Sequence, residues 1–252
     1  MGNKSYELSA IQKFSMLFRL LGKSQVPYKR NFLKYHLIRR KYILSRTSEF
    51  FGKNKFEPAP LLNRRILDVG CGLNGISDEL AFRGGDILAI DRNLEVLTSA
   101  KNNALHNGSP VDYQNRTLEN LHTDEKFDVI LLLDFLHKRN VEKSLDKVQE
   151  LLKEDGVIVI SGSNKTLKSY IRNIFVPKFL LKMMHLNVKS TDLMKLKRVK
   201  NGLQGHGFSI LGTQGIDFNF FTGKWHKTKS TRVRYIMYAS KVDKDYHSKI
   251  EE

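Results

Sequence analysis

The chain has 252 residues, 40% of them hydrophobic, and sets 43 Lys and Arg against 26 Asp and Glu for a formal charge of +17. That is ample for a single core, and no apolar run approaches the length of about 18 residues that a membrane-spanning helix needs. One cysteine, Cys71, excludes a disulfide framework and a cysteine-built zinc cluster.

The basic excess suits a nucleic acid, an anionic membrane surface or an acidic partner, and it is equally met by lysines filling solvated faces. Most of the first 46 residues' charge is basic, with Glu7 the single acid. Ser9-Ala-Ile-Gln12 reads as a capping box, after which Ile11, Phe14, Phe18 and Leu21 recur at helical spacing, with Leu17 and Leu20 widening the stripe and Gly22 ending it. Such a basic amphipathic helix lies either on a membrane surface or on the flank of its own domain, and it also fits an organelle transit segment. The expected locations are therefore the cytoplasm, a peripheral membrane site or an organelle matrix. A second basic helix is expected over Tyr28 to Phe51, followed by a linker from Gly52 to Pro60.

From Arg65 the pattern changes to alternating strands and helices. Strands are expected at 66–70, 86–90, 110–114, 127–133 and 156–161, helices near 76–83, 93–106, 141–153 and 165–184, and two last strands at Phe208–Gly212 and Arg232–Ser240. The polar stretch 187–206 has room for another helix. Alternation of this kind gives an α/β, Rossmann-like, seven-stranded and mostly parallel sheet with a C-terminal antiparallel strand, because parallel neighbours need crossover helices. The expected division is a helical arm over 1–60, a catalytic domain over 61–242 and a polar tail over 243–252.

The chemistry centres on Ile66-Leu-Asp-Val-Gly-Cys-Gly-Leu-Asn-Gly75 and on Asp91, which closes the next strand. Gly70-x-Gly72-x-x-Gly75 between strand and helix, with an acid about 20 positions on, is the spacing of a nucleoside cofactor site. Gly70 and Gly72 let the ligand lie against bare backbone, and Asp91 can accept hydrogen bonds from both ribose hydroxyls.

These residues resemble the class I S-adenosylmethionine-dependent methyltransferases. Leu67-Asp68-Val-Gly70-Cys-Gly72 is similar to that superfamily's first motif, Asp91 to its ribose acid, Phe127-Asp-Val-Ile to its fourth strand, and Leu151-Leu-Lys-Glu-Asp-Gly156 to the turn before its fifth. A narrower resemblance, from about residue 30 to 240, is to the O-methyltransferases of ubiquinone biosynthesis. It rests on Ser161-Gly-Ser-Asn164-Lys-Thr-Leu-Lys168-Ser169-Tyr170, on Phe218-Asn219-Phe-Phe-Thr222, on Arg232-Val-Arg-Tyr235, and on His36-Leu-Ile-Arg39-Arg-Lys-Tyr-Ile43. The resemblance implies S-adenosyl-L-methionine as cofactor, bound through Arg39, Asp68, Gly70, Gly72, Asp91 and Leu133. It implies a small acceptor, lipid-linked in that family.

The chain also departs from that family. Where the family carries Met-Glu-x-x-Glu-His to hold a divalent metal, this chain reads Leu133-Asp134-Phe-Leu-His137-Lys138, so no metal ligands are assigned. The family's Asp-Val-Asn in the last strand is Arg232-Val-Arg234 here. Asp134 and His137, beyond the fourth strand, are the candidate catalytic residues. His137 is the expected base for an oxygen acceptor, since an imidazole titrates near neutrality. A methyltransferase of RNA or protein and a non-catalytic binding module with the same fold are the alternatives; nucleic acid is admitted by the charge and not favoured by the motifs.

Overall fold

A computed structural model describes residues 27–136, 141–170, 194–219 and 224–241, with side chains from Lys34 onward except at Tyr170. The expected helix over 9–22 and the candidate base His137 lie outside the described residues.

The elements run α1 (Pro27–Phe50), β1 (Arg65–Val69), α2 (Ile76–Ala81), β2 (Asp86–Ile90), α3 (Leu94–Asn107), β3 (Asp112–Gln114), β4 (Phe127–Leu133), α4 (Val141–Leu151), β5 (Leu152–Ser163), α5 (Leu167–Tyr170), α6 (Leu196–Gly205), β6 (Ser209–Asn219), β7 (Lys224–Thr228) and β8 (Arg234–Ser240). The strands form one sheet in the order β3-β2-β1-β4-β5-β8-β6-β7. The pairs among β1 to β5 are parallel, and β8 runs antiparallel between β5 and β6. This is the expected mostly parallel α/β sheet.

Among the described residues the sheet has eight strands, one more than the seven expected. The additional one, β7, pairs antiparallel with β6 at the outer edge, and β6 itself runs on to Asn219. Lys224-Trp-His-Lys-Thr228 carries a charged or polar residue at four of five positions, so it lacks the apolar alternation by which a strand is read. β5 likewise starts at Leu152, because Phe127 pairs with Leu152 before the register shifts and Val129 pairs with Val157.

Side chains alternate cleanly across the sheet. Ile66, Ile87, Val129, Leu131, Leu133, Val157 and Val159 face the layer of α1, α2 and α3, whereas Leu67, Leu88, Ile130, Leu132, Ile158 and Ile160 face α4 and α6. Asp68 stands between Leu67 and Val69 and so faces the α1–α2 layer, where Ser77 meets it. The buried stripe of α1 recurs at helical spacing through Tyr35, Arg39, Tyr42, Ile43 and Phe50. It is only partly apolar: His36, Arg39, Thr47 and Ser48 are buried with it. Among the described residues no helix is long and apolar enough to cross a membrane.

At the far end of the sheet, Asp128 ties three segments together. Its carboxylate accepts from Arg64 at 3.2 Å, from Lys153 at 2.8 Å and from the Arg65 N–H at 2.9 Å. Burial opposes its charge, yet the Lys153 and Arg65 hydrogen bonds overcome this and hold its pKa below the usual carboxylate value.

Candidate active site

The carboxyl ends of β1, β2 and β4 lie side by side, since β1 pairs with both of the others. Past Val69 the chain reverses through Gly70 at φ +68° and Gly72 at φ +60°. Both angles suit glycine, and at Gly70 an added Cβ would also lie 3.2 Å from the Phe135 ring. The Gly70 and Cys71 N–H groups both donate to the Ile90 carbonyl, at 2.8 and 3.1 Å, which pins the turn to the end of β2. Cys71 is buried there, and burial pushes its thiol pKa well up, so it is a packing residue in this state.

Asp91 immediately follows β2. One carboxylate oxygen accepts from the Gly72 N–H at 3.1 Å and the other from the Asn93 N–H at 2.9 Å, so the acid is oriented by the turn itself. Asn93 in turn caps α3 by accepting from the Val96 N–H at 2.8 Å.

Asp68 is fully buried. Ser77 donates to its Oδ2 at 2.6 Å, and Oδ1 has no hydrogen-bond partner among the described residues. Burial raises its pKa to about 6, against the Ser77 hydrogen bond and the attraction of Arg39; Asp91 and Asp78 push it the same way as burial.

Arg39 reaches this region from α1. Only 1% exposed, it donates from Nη1 to Asp134 Oδ2 at 2.6 Å and lies 3.5 Å from the Tyr35 hydroxyl one helical turn earlier. Its Nε is buried without a partner among the described residues. Asp134 follows Leu133, the last residue of β4, and takes φ +56°, a left-handed conformation that aspartate tolerates better than most side chains. Its N–H donates to the Ser161 carbonyl at 2.9 Å, on the neighbouring β5. A second guanidinium approaches from β8: Arg234 Nη1 lies 3.8 Å from Asp134 Oδ1 and donates to the Tyr35 hydroxyl at 3.3 Å. Arg234 also stacks on Tyr35 and Trp225, with the cation 4.8 and 5.9 Å from the two ring centroids. His36 sits buried beside this cluster, and burial together with Arg39, Arg234 and Arg40 holds it well below its ordinary pKa, so it is neutral.

The Ser161–Tyr170 segment fixes the β8 end. The Asn164 N–H donates to Val233 O at 2.9 Å, its side-chain amide donates to Thr231 O at 3.0 Å, and its Oδ1 accepts from Leu196 N at the start of α6 at 3.1 Å. Lys168 pairs with Asp217 on β6 at 3.3 Å.

Of the residues expected from sequence, Gly70, Gly72, Asp91, Asp68, Arg39, Leu133 and Asp134 thus converge on one end of the sheet. Tyr35, His36, Ser77, Trp225 and Arg234 join them without having been expected there. For Tyr35 the available signal was its i, i+4 spacing from Arg39, and for Arg234 the exchange of a neutral residue for a cation.

A family model described as "Methyltransferase domain" matches residues 62–203. This chain belongs to the class I S-adenosylmethionine-dependent methyltransferases. It is similar to the ubiquinone biosynthesis O-methyltransferase of Pelagibacter ubique, with 30% identity over 210 residues that make up 80% of this chain and 85% of that one. The protein of the same name from Sinorhizobium fredii is 26% identical over 211 residues, or 82% and 85% of the two chains. The fold is similar to that of magnesium protoporphyrin IX methyltransferase from Synechocystis PCC 6803 with bound S-adenosylhomocysteine, at a TM-score of 0.60 and 19% identity, covering 90% of this chain and 93% of that one.

The methyltransferase is therefore an enzyme with S-adenosylmethionine as its methyl donor. Its residues fit that donor: a glycine turn leaves bare backbone, the buried acid Asp91 stands beside it, and among the described residues one carboxylate oxygen of Asp68 and the Nε of Arg39 are buried without a hydrogen-bond partner.

Proposed function

We propose that this methyltransferase transfers the methyl group to an oxygen of a small acceptor, with a polyprenylated aromatic of the ubiquinone pathway as the leading class. The observation that carries this reading is the likeness to ubiquinone biosynthesis O-methyltransferases across 80% of the chain. When bound, the donor supplies an electrophilic methyl on a sulfonium. What remains for the protein is to bind, orient and, for a hydroxyl acceptor, remove a proton.

In this proposal Gly70 and Gly72 admit the donor to the backbone, Asp91 accepts from the ribose hydroxyls, and Leu133 lines the methionine side. Asp68 receives the methionine ammonium on its orphaned oxygen, and Arg39 meets the methionine carboxylate. Asp134, at the end of β4, orients Arg39, and His137, three residues further on, takes the acceptor proton. Residues 61–242 form the catalytic domain, and the arm over 1–60 supplies Arg39. A lipid-linked acceptor agrees with peripheral membrane contact by the basic helix over 9–22, in the cytoplasm or an organelle matrix.

A second reading, an RNA or protein acceptor, is favoured by one observation. The cations Lys41 and Arg46 of α1 and Lys55 after it act on Lys227 of β7, and burial together with their repulsion lowers the Lys227 pKa. Methyl-label transfer into fractionated cell extract separates the two. Label in the lipid-soluble small-molecule fraction is expected; label confined to RNA or protein would overturn the first reading.

A further inference from the structure

We propose that the Tyr235 hydroxyl is an acceptor-binding group of this methyltransferase, donating a hydrogen bond to the acceptor oxygen that receives the methyl. The inference rests on the oxygen-acceptor reading above and adds a residue which that reading does not use.

In that reading the donor lies over the ends of β2, β1 and β4, held by Asp91, the glycine turn and Leu133. The next ends in the strand order are those of β5 and β8, so the acceptor side is theirs. Tyr235 is the second residue of β8 and pairs with Gly162, next to last in β5. Gly162 follows Ser161, which pairs with Leu133 and whose carbonyl accepts from the Asp134 N–H, so Gly162 stands level with Asp134. A Cβ on Gly162 would lie 2.9 Å from the Tyr235 hydroxyl oxygen and 3.2 Å from the ring carbon that bears it. The missing side chain thus lets the Tyr235 ring reach across β5, and it sets the hydroxyl at the carboxyl end of the sheet, one strand from Asp134.

A buried phenol ordinarily finds a hydrogen-bond partner. Tyr235 is only 2% exposed, yet among the described residues its hydroxyl has none. Tyr113, by contrast, donates to Asp78 at 3.2 Å. The Tyr235 oxygen is not sealed off from solvent, so an incoming group can reach it. Burial raises its pKa, and Asp134 and Tyr35 act in the same direction, so the hydroxyl keeps its proton and is a donor. A donor of this kind does not suit the sulfonium or the ammonium of the methyl donor, both of which are cations. It suits an oxygen that becomes negative as it loses its proton, and a fixed donor in a site with little water stabilises such an oxygen strongly. Tyr235 does not take that proton; it holds the oxygen that gives it up.

The test uses p-nitrophenol, whose colour reports how much of it is phenolate. The full chain, saturated with S-adenosylhomocysteine, is titrated with this probe across a pH series. The bound probe is expected to ionise at lower pH than the free one, and Tyr235→Phe should weaken that ionisation about tenfold, the effect of one hydrogen bond to a charged oxygen. Gly162→Ala, which sets a Cβ against the hydroxyl on a strand backbone that accepts alanine, should act in the same direction. Because the hydroxyl has no partner within the protein, Tyr235→Phe should leave the unfolding midpoint unchanged. Equal ionisation in the unaltered chain and Tyr235→Phe, no uptake of the probe by the unaltered chain, or a lowered midpoint in Tyr235→Phe would each overturn the proposal. Methyl-label transfer into cell extract by the same proteins separates it from the reading on which it rests. Label in the lipid-soluble small-molecule fraction that Tyr235→Phe leaves undiminished removes the role of Tyr235 alone, whereas label confined to RNA or protein with the unaltered chain removes the small oxygen acceptor itself.

Discussion

The two halves of the site are built on different principles. Around the glycine turn, contacts are short in sequence: Gly72 to Asp91 spans 19 positions, Asp68 to Ser77 spans 9, and Asp91 to Asn93 spans 2. Around the ion pair, Arg39 meets Asp134 across 95 positions and Arg234 meets Tyr35 across 199. The first half is a local device that a strand, a glycine turn and a helix make for themselves. The second exists only after α1, β4, β7 and β8 have been brought to one end of the sheet, and it is held by charge as well as by packing. Damage to the ion-pair cluster should therefore register first in stability, and damage to the glycine turn and its acids first in donor binding.

The largest expected effect follows from Asp134→Ala. It leaves Arg39, buried to 1% exposure, without its close partner, which costs about 3–5 kcal/mol of folding stability, measured by denaturant unfolding. A loss near zero would mean that Arg39 is neutralised elsewhere and that the ion-pair cluster is less interlocked than its geometry says. Next, Asp91→Ala should weaken S-adenosylhomocysteine binding about 100-fold in calorimetry, the loss of two hydrogen bonds to a charged acceptor, with a smaller change in unfolding midpoint. Comparable losses in the two measurements would erase the contrast.

Asp68 crosses the divide, because it belongs to the first motif yet feels Arg39. Its folded pKa, raised to about 6 chiefly by burial, means that the native state holds the proton more tightly than the unfolded chain. Its contribution to stability is fully present below about pH 4, falls as pH rises towards 6, and is then constant at a cost of up to about 3 kcal/mol. Asp68→Asn should therefore raise stability at pH 7 by about 1–3 kcal/mol and flatten thermal unfolding between pH 4 and 6, while weakening cofactor uptake. Were the variant less stable at pH 7, the buried charge would have to be better compensated than its orphaned oxygen indicates. The smallest effect is expected at Gly70. Gly70→Ala meets a left-handed backbone and the Phe135 ring, for about 1–2 kcal/mol, and a thermal shift assay with and without S-adenosylhomocysteine separates turn strain from lost binding.

The same contrast governs what could be read in advance. The glycine turn, Asp91 and the parallel alternation were legible because each is written in a short window with a fixed period or spacing. The strand β7 was not, since an edge strand of mixed polar residues carries no apolar alternation. Arg39 and Asp134 were both singled out, one as a cofactor ligand and one as a candidate catalytic residue, but nothing in their separate neighbourhoods says that they form one ion pair. Arg232-Val-Arg234 was legible as a change of charge, and its meaning awaited Tyr35 and Trp225.

By itself, then, the sequence determined the α/β layering and the glycine turn with its acids, because periodicity, backbone freedom at glycine and a fixed strand-to-acid spacing act over a few residues; the methyl donor followed from the resemblance of those motifs to a family. Only the tertiary structure decided that α1 buries an arginine and a neutral histidine against the sheet, that Asp134 turns left-handed to sit between two guanidinium groups, and that Arg234 is braced by aromatic rings from two other elements. Those outcomes depend on which charges and rings the folded chain brings within a few ångströms of one another, a matter of sheet order and register rather than of local pattern.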